Sequence, residues 1–371
     1  MSFESLRNRV IQGMAGGNSG IPMGFNRLNA HVSIRGGTYY LAGGYTGSGK
    51  TSLIDDAFVL NPLDYLAENK DAENDLHILY NSMERPRDYK LAKWVCRKIF
   101  LDTGVVIPLN RLLGWVSKDK RLTQDEYELF DQYEDYVGYL LSKITFFPDK
   151  ARNPTGVRKF VDAFAKENGK EEKIDEYNSV YVPNNPKKII LGIYDHVGLH
   201  TGETTKDKDG NKTTYAKGKP AIDKCSEDKQ RFRDYYGFSS VDIQQFNRDI
   251  SNPMRLKNGD VEPMLEDFKE TGNIAENADV VLSLFDPWRY KVADPNGYNL
   301  ERLRDEDGAK KYRALKILKN TYGSEDIGIG MSFQPHIGYF KEMPKKIKGQ
   351  PISDSIYAAI GDNSFFLKEY R

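Results

Sequence analysis

Cysteine is scarce. Two occur in 371 residues, Cys96 and Cys225, far apart and without metal-type spacing. That excludes a disulfide framework and fits a reduced, intracellular setting. An excess charge of either sign is also lacking, since 54 Lys and Arg meet 54 Asp and Glu. This argues against a general basic coat for nucleic acid, while leaving room for a local basic channel formed when copies assemble. No apolar run approaches the roughly 20 residues that span a bilayer, and Met1-Ser2-Phe3-Glu4 does not open a signal peptide. A cytoplasmic protein with no membrane partner is expected. No internal repeat of roughly 20–50 residues is visible. His196 and His200 lie four apart, but no His-Glu-x-x-His pattern or nearby cysteine pair supports a zinc site.

Against these absences, 39% of the chain is apolar and 12% aromatic, enough for a large core in one extended domain or two. One stretch organises the rest. Gly44-x4-Gly49-Lys50-Thr51 is the phosphate-binding P-loop pattern. A glycine-rich loop lets backbone N–H groups turn inward around β- and γ-phosphates. Lys50 adds a point charge and Thr51 a hydroxyl for Mg²⁺. The context is the required one. The β-forming Thr38–Ala42 precedes the loop, and Thr51–Leu60 reads as a helix whose N-terminus points at the phosphates. Gly44, Gly47, Ser48, Gly49, Lys50, Thr51 and Ser52 are the expected nucleotide contacts, with ATP or another NTP and Mg²⁺ as the ligands.

Strands and helices alternate along the chain. Residues 2–14 predict a short amphipathic helix with Phe3, Leu6, Val10, Ile11 and Met14 on one face, followed by a glycine linker to residue 19. Leu76–Ser82 reads as a buried strand, and Pro86 suits the first turn of the next helix. Thr123-x-x-Glu126 is a capping box, and Asn153-Pro154 opens another helix. Lys188–Asp195, Ser240–Gln245, Ala278–Leu284, Tyr312–Lys319 and Ile327–Phe333 read as further strands. Polar stretches at 168–186, 201–219 and 249–262 read as an insertion and two surface loops. Apolar strands alternating with helices predict an α/β fold with a mostly parallel sheet covered on both faces, whose ligands bind at the carboxyl ends of strands.

Phosphoryl transfer from a nucleotide needs phosphate cradling, a metal, an oriented water and positive charge at the transition state. Asp195 closes an apolar strand and fits a Mg²⁺-associated carboxylate. Glu84 ends the preceding strand and suits either polarising a water or favouring a helix dipole. Gln245 suits either a γ-phosphate sensor or an ordinary strand end.

Several segments together resemble the RecA-like ATPase domain of DnaB-type replicative helicases, including their phage relatives, over residues 20–340. They are Gly20-Ile21-Pro22-Met23-Gly24-Phe25-Asn26-Arg27-Leu28-Asn29, Gly44–Thr51, Asn81-Ser82-Met83-Glu84, Leu122–Tyr127, Ile144–Val157, Tyr194-Asp195-His196-Val197-Gly198-Leu199 and Ile243-Gln244-Gln245-Phe246-Asn247-Arg248. Pro263–Gly272 followed by Asn277–Val281 completes the set. The resemblance implies a RecA-like P-loop NTPase core at 20–345, a linker helix at 1–19 docking on the adjacent subunit, and a tail at 346–371. It implies a hexameric homo-oligomeric ring that hydrolyses NTP between subunits and separates strands while translocating on single-stranded DNA. If phage-encoded, it would act in the bacterial host cytoplasm. Glu84 would be the catalytic glutamate, Thr51 and Asp195 the metal residues, Gln245 the sensor, and Lys319 a residue acting on the neighbour's nucleotide. Lys206, Lys208, Lys212, Lys217, Lys219, Arg255 and Lys257 would face DNA phosphates.

The sequence departs from the family pattern at four places. Thr321 stands where an arginine two residues after Lys319 is usual, and Lys269 replaces another arginine. The stretches 168–187 and 201–219 are longer than typical. The family's large N-terminal primase-interacting or primase domain is expected to be lacking, so that primase coupling would need a separate primase or loader. A recombination ATPase without unwinding, or a nucleotide-gated assembly module, are the alternative readings.

Overall fold

The structure is a computed structural model. It describes residues 3–14, 20–206, 209–210, 212–271, 274–304, 308, 310–347 and 349–367. Helix α1 is Phe3–Met14 and strand β1 is Tyr39–Gly44. After the loop, α2 (Lys50–Ile54) widens to π spacing over Asp55–Leu60 and tightens again through Asn61–Glu68. Strand β2 (Asp75–Ser82) leads to α3 (Arg87–Thr103). The capping box at Thr123 and Glu126 forms as the sequence predicts and opens α4 (Gln124–Asp131), followed by α5 (Glu134–Lys143) and β3 (Ile144–Phe146). Asn153 caps α6 (Pro154–Asn168), its side chain accepting from the Gly156 N–H.

Strands β4 (Gly169–Lys173) and β5 (Ser179–Pro183) pair with each other, β6 is Lys188–Asp195, and β7 (Glu203–Lys206) pairs with β8 (Lys212–Tyr215). Then come α7 (Lys219–Arg231), β9 (Ser239–Gln245), α8 (Pro253–Asn258), β10 (Val280–Phe285), β11 (Tyr312–Asn320), β12 (Ile327–Gln334) and β13 (Tyr339–Glu342). The chain continues through α9 (Asp354–Gly361) and α10 (Ser364–Leu367).

Nine of these strands form one sheet in the order β13-β12-β11-β10-β1-β9-β6-β2-β3. Strands β3 to β10 across its centre run parallel, and β11, β12 and β13 add an antiparallel edge. The sheet is therefore mostly parallel and covered by helices, as the alternating pattern predicts. Central strands are covered on both faces, and β1, β6 and β10 are correspondingly apolar over most of their length. One core packs Ile54, Phe58, Ile78, Trp94 and Leu191 on one side, and the other packs Tyr39, Tyr194, Phe232 and Phe268. Among the described residues, no helix is long and apolar enough to cross a membrane.

Three expectations change. The insertion at 168–186 carries a β-hairpin, and 201–219, expected as a surface loop, carries another. Their strands are largely exposed on both faces, so they lack the apolar alternation that marks a half-buried strand. Threonine supplies the β-branching in the second, where Thr204 and Thr214 hydroxyls meet at 3.0 Å. The segment 346–371, expected as a tail, folds over 354–367 into two helices that bury Tyr357, Ile360, Phe365 and Phe366. Helix α1 forms as expected, yet Phe3, Val10, Ile11 and Met14 are 70%, 55%, 56% and 84% exposed, so its apolar face finds no cover among the described residues.

A buried ion pair fastens α7 beneath the sheet. Lys229 Nζ donates to Asp242 Oδ1 at 2.5 Å, and Tyr39 OH donates to Oδ2 at 2.6 Å, joining α7 to β9 and β1. Removing one partner strands the other charge in the interior. Lys229→Met is expected to cost about 3–5 kcal/mol in urea unfolding, and the double variant Lys229→Met/Asp242→Asn to recover much of that loss.

Candidate active site

The sheet register lines up the carboxyl ends of four strands. Ser82 on β2 sits beside Asp195 on β6, Asp195 beside Ile243 on β9, and Gln245 on β9 beside Gly44 on β1. The loop from Gly44 to α2 therefore opens at the same edge as Glu84, Asp195 and Gln245. Gly47 (φ 81°) and Gly49 (φ 96°) take left-handed backbone conformations that side chains oppose, which is the chemical reason for glycine there. Lys50 Nζ donates to the Tyr45 carbonyl at 3.0 Å within the loop. Burial pulls the Lys50 ammonium down to about 8, against the upward pull of Asp195 and Glu84.

Asp195 is 1% exposed and both its carboxylate oxygens are used. Thr51 Oγ1 donates to Oδ1 at 3.0 Å, and Lys90 Nζ donates to Oδ2 at 2.8 Å. Burial alone would raise this carboxyl, but the Lys90 charge and the two hydrogen bonds outweigh it and hold Asp195 below the usual carboxylate range. The Asp195 carbonyl accepts from the N–H groups of Met83 and Glu84 at 2.8 and 3.2 Å, which carries the chain out of β2 with Glu84 turned to the opening. Gln245 Oε1 accepts from Thr46 Oγ1 at 3.2 Å, across the loop from β9.

These side chains share one cleft of about 310 Å³, lined by Thr46, Lys50, Thr51, Glu84, Asp195 and Gln245. The expected residues Lys50, Thr51, Glu84, Asp195 and Gln245 thus come together. Ser48 and Ser52 lie beneath the loop and α2, both buried.

The cleft also contains residues that sequence reasoning missed. Lys93 reaches in from α3, with Nζ donating to Ser52 Oγ at 2.6 Å, and Arg85, Tyr89 and His196 complete the wall. The available signal was on α3, where Lys90 and Arg97 share the buried face of Trp94 at helical spacing, an unusual place for cations. His200 Nδ1 donates to the Arg152 carbonyl, 3.1 Å away, with burial lowering its imidazole to about 3, which suits a core histidine. No cluster of three metal-ligating side chains exists among the described residues.

Other expected residues lie elsewhere. Lys206 and Lys212 face solvent on the β7–β8 hairpin, Lys217 and Lys257 are exposed, and Lys219 pairs with Asp223 at 2.7 Å. Lys208 lies outside the described residues. Arg255 is engaged in its own loop: it meets Asp267 at 2.6 Å and donates to the carbonyls of Asp260 and Glu262. Lys319 pairs in register with Val281, beside Leu41, and so lies toward the amino end of β1, away from its own P-loop. Its ammonium donates to the carbonyls of Ala275 and Glu276 at 3.3 and 2.8 Å.

A triphosphate with Mg²⁺ fits this donor set. The loop offers positive-φ glycines and an ammonium, and Thr51 and Asp195 present hard oxygens 3.0 Å apart. Mg²⁺ is commonly held by one or two such groups together with phosphates and water, so a cluster of protein carboxylates is not needed. Bound there, the ion would supply charge neutralisation on the phosphates.

The architecture has known counterparts. One solved structure, described as an ATPase domain, matches with a TM-score of 0.63 at 14% identity, over 92% of this chain and 99% of that one. A DnaB-like replicative helicase, described with its interactions with primase, matches with a TM-score of 0.60 at 16% identity, over 92% of this chain and 66% of that one. No family model matches the chain, and no curated protein matches it in sequence. The chain has the RecA-like fold of DnaB-type ATPase domains.

Lys50 sets a pH dependence. A phosphate ligand needs the charged ammonium, which the free protein loses as pH rises through about 8. Binding above that pH must take up a proton. Affinity for an ATP analogue is expected to fall by up to about tenfold per pH unit in calorimetric titrations between about pH 8 and about pH 9.5. Constant affinity across that window would show that the Lys50 ammonium stays charged there or does not carry the phosphate.

Proposed function

We propose that this chain is an NTP-hydrolysing DNA helicase subunit, using ATP or another NTP with Mg²⁺ and translocating on single-stranded DNA during replication. The observation that carries the reading is the meeting of Lys50, Thr51, Glu84, Asp195 and Gln245 in one cleft at the strand ends. Lys50 and the loop N–H groups bind phosphate, and Thr51 and Asp195 hold the ion. Glu84, exposed at the mouth, orients the attacking water, and Gln245 reports the γ-phosphate through its bond to Thr46. The RecA-like fold shared with helicase ATPase domains supports the same reading.

The working form is a homo-oligomer, read here as a hexameric ring. Two features support assembly. Among the described residues nothing covers the apolar face of α1, which suits a second copy. Lys319 lies far from its own loop by register, a placement that suits it to another copy's nucleotide. The exposed Lys206, Lys212 and Lys217, with Lys257, form the basic contacts for single-stranded DNA. A separate primase or loader is a further partner, and the setting is the cytoplasm, that of a bacterial host for a phage-encoded chain. Residues 1–19 act as linker and 20–345 as the ATPase domain, onto whose core the helices of 354–367 pack.

A second reading, a nucleotide-gated assembly module with weak hydrolysis, is favoured by Thr321 at the arginine position and by the hold of Ala275 and Glu276 on Lys319. Steady-state turnover separates the two. The helicase reading expects turnover stimulated by single-stranded DNA, unwinding of a forked duplex, and loss of both in Lys50→Ala and Glu84→Gln. Removing an aligned catalytic group of this kind lowers turnover by about 100-fold or more. Glu84→Gln keeps nucleotide affinity. Slow turnover indifferent to DNA would support the second reading, and normal turnover in Lys50→Ala would end both.

A further inference from the structure

A buried lysine lies directly behind the candidate metal residue. Lys90, near the start of α3, is 2% exposed at its side chain. Its Nζ donates to Asp195 Oδ2 at 2.8 Å and to Tyr80 OH at 2.5 Å, and lies 3.4 Å from both oxygens of Asp55. Tyr80 OH in turn donates to Asp55 Oδ1 at 2.7 Å. The Asp55 and Asp195 carboxylates are 3% and 1% exposed. Four elements meet at this one ammonium: the widened turn after α2 through Asp55, β2 through Tyr80, α3 through Lys90 and β6 through Asp195.

The arrangement is asymmetric with respect to the cleft. Asp195 lines it and Lys90 does not. Of the two Asp195 oxygens, Oδ1 faces Thr51 at the opening and Oδ2 is held from behind. A carboxylate fixed at one oxygen cannot rotate about its Cβ–Cγ bond, so the other oxygen keeps one direction. Lys90 also places its ammonium between two buried carboxylates, those of Asp55 and Asp195. Any buried ammonium needs acceptors, and what sets Lys90 apart from the buried Lys229 is that its partner Asp195 lines the cleft.

We propose that Lys90 is a positioning residue for Asp195, clamping Oδ2 so that Oδ1 and Thr51 present a fixed pair of oxygens to the Mg²⁺ of a bound nucleotide. This rests on the nucleotide reading of the cleft. The clamp acts on the ion and not on the phosphate grip, which belongs to Lys50 and the loop. Outer groups that orient a metal ligand typically change metal affinity or activity by about 10–100-fold.

The test uses the full chain and the variant Asp55→Asn/Lys90→Met, which removes one charge of each sign and keeps the buried net charge unchanged. Circular dichroism and thermal unfolding establish its fold. A fluorescent ATP analogue is titrated first without metal and then with increasing Mg²⁺. The clamp predicts metal-free affinity close to wild type and a Mg²⁺ half-saturation for tight analogue binding raised by about tenfold. Tyr80→Phe removes one Lys90 partner at nearly constant volume, and should move the Mg²⁺ requirement the same way by about threefold. Unchanged Mg²⁺ half-saturation in both variants overturns the proposal. So does a parallel loss of metal-free affinity, which marks a purely structural role. Wild-type protein that binds no analogue at all overturns the nucleotide reading itself, an outcome seen before any variant is compared.

Discussion

One buried carboxylate holds the working edge of this protein together. Asp195 sits at 1% exposure at the end of an apolar central strand, where an unpaired charge would be very costly. It is stable there because Thr51 and Lys90 occupy its two oxygens while its backbone carbonyl takes the N–H groups of Met83 and Glu84. Through these bonds the P-loop helix, α3 and the exit of β2 are all tied to β6. Moving any one of them breaks a hydrogen bond to a nearly buried group. The positions of Thr51 and Glu84 relative to the loop therefore follow from satisfying one aspartate.

The sheet supplies the frame for that bond. Parallel pairing of β2, β6, β9 and β1 brings residues far apart in sequence to one edge, and the chain leaves β1 to one side and later returns on the other. A crevice at such a reversal is where open α/β sheets bind ligands. On the opposite side of the sheet from Trp94, the Lys229–Asp242 pair with Tyr39 fixes α7, the helix that follows the β7–β8 hairpin. The P-loop edge and the helix behind the β7–β8 hairpin are thus each fastened to the sheet by buried polar contacts and not by loops alone.

Much of the fold was legible because its signals are local. Glycine spacing marked the loop, continuous apolar runs marked β6 and β10, and Thr123-x-x-Glu126 and Asn153-Pro154 marked helix starts that the structure reproduces. Lys50, Thr51, Glu84, Asp195 and Gln245 were each visible as strand-end or loop residues, and the register explains why they converge. Lys90 and Lys93 were not visible, since their meaning depends on partners such as Asp195, 105 positions away from Lys90. The two hairpins escaped because strands wet on both faces carry no alternation. Arg255 looked like a free cation in a polar loop until its bonds to Asp267, Asp260 and Glu262 were in view. Helix α9 was obscured by the basic, proline-containing stretch before it.

Equilibrium binding of a non-hydrolysable ATP analogue to the wild-type chain, with Mg²⁺ present, tests the central claim most directly. The account predicts saturable binding at one site per chain, displaced by inorganic triphosphate because the phosphates and not the base are what the loop grips. Absence of saturable binding, or binding displaced by adenosine but indifferent to triphosphate, would contradict it.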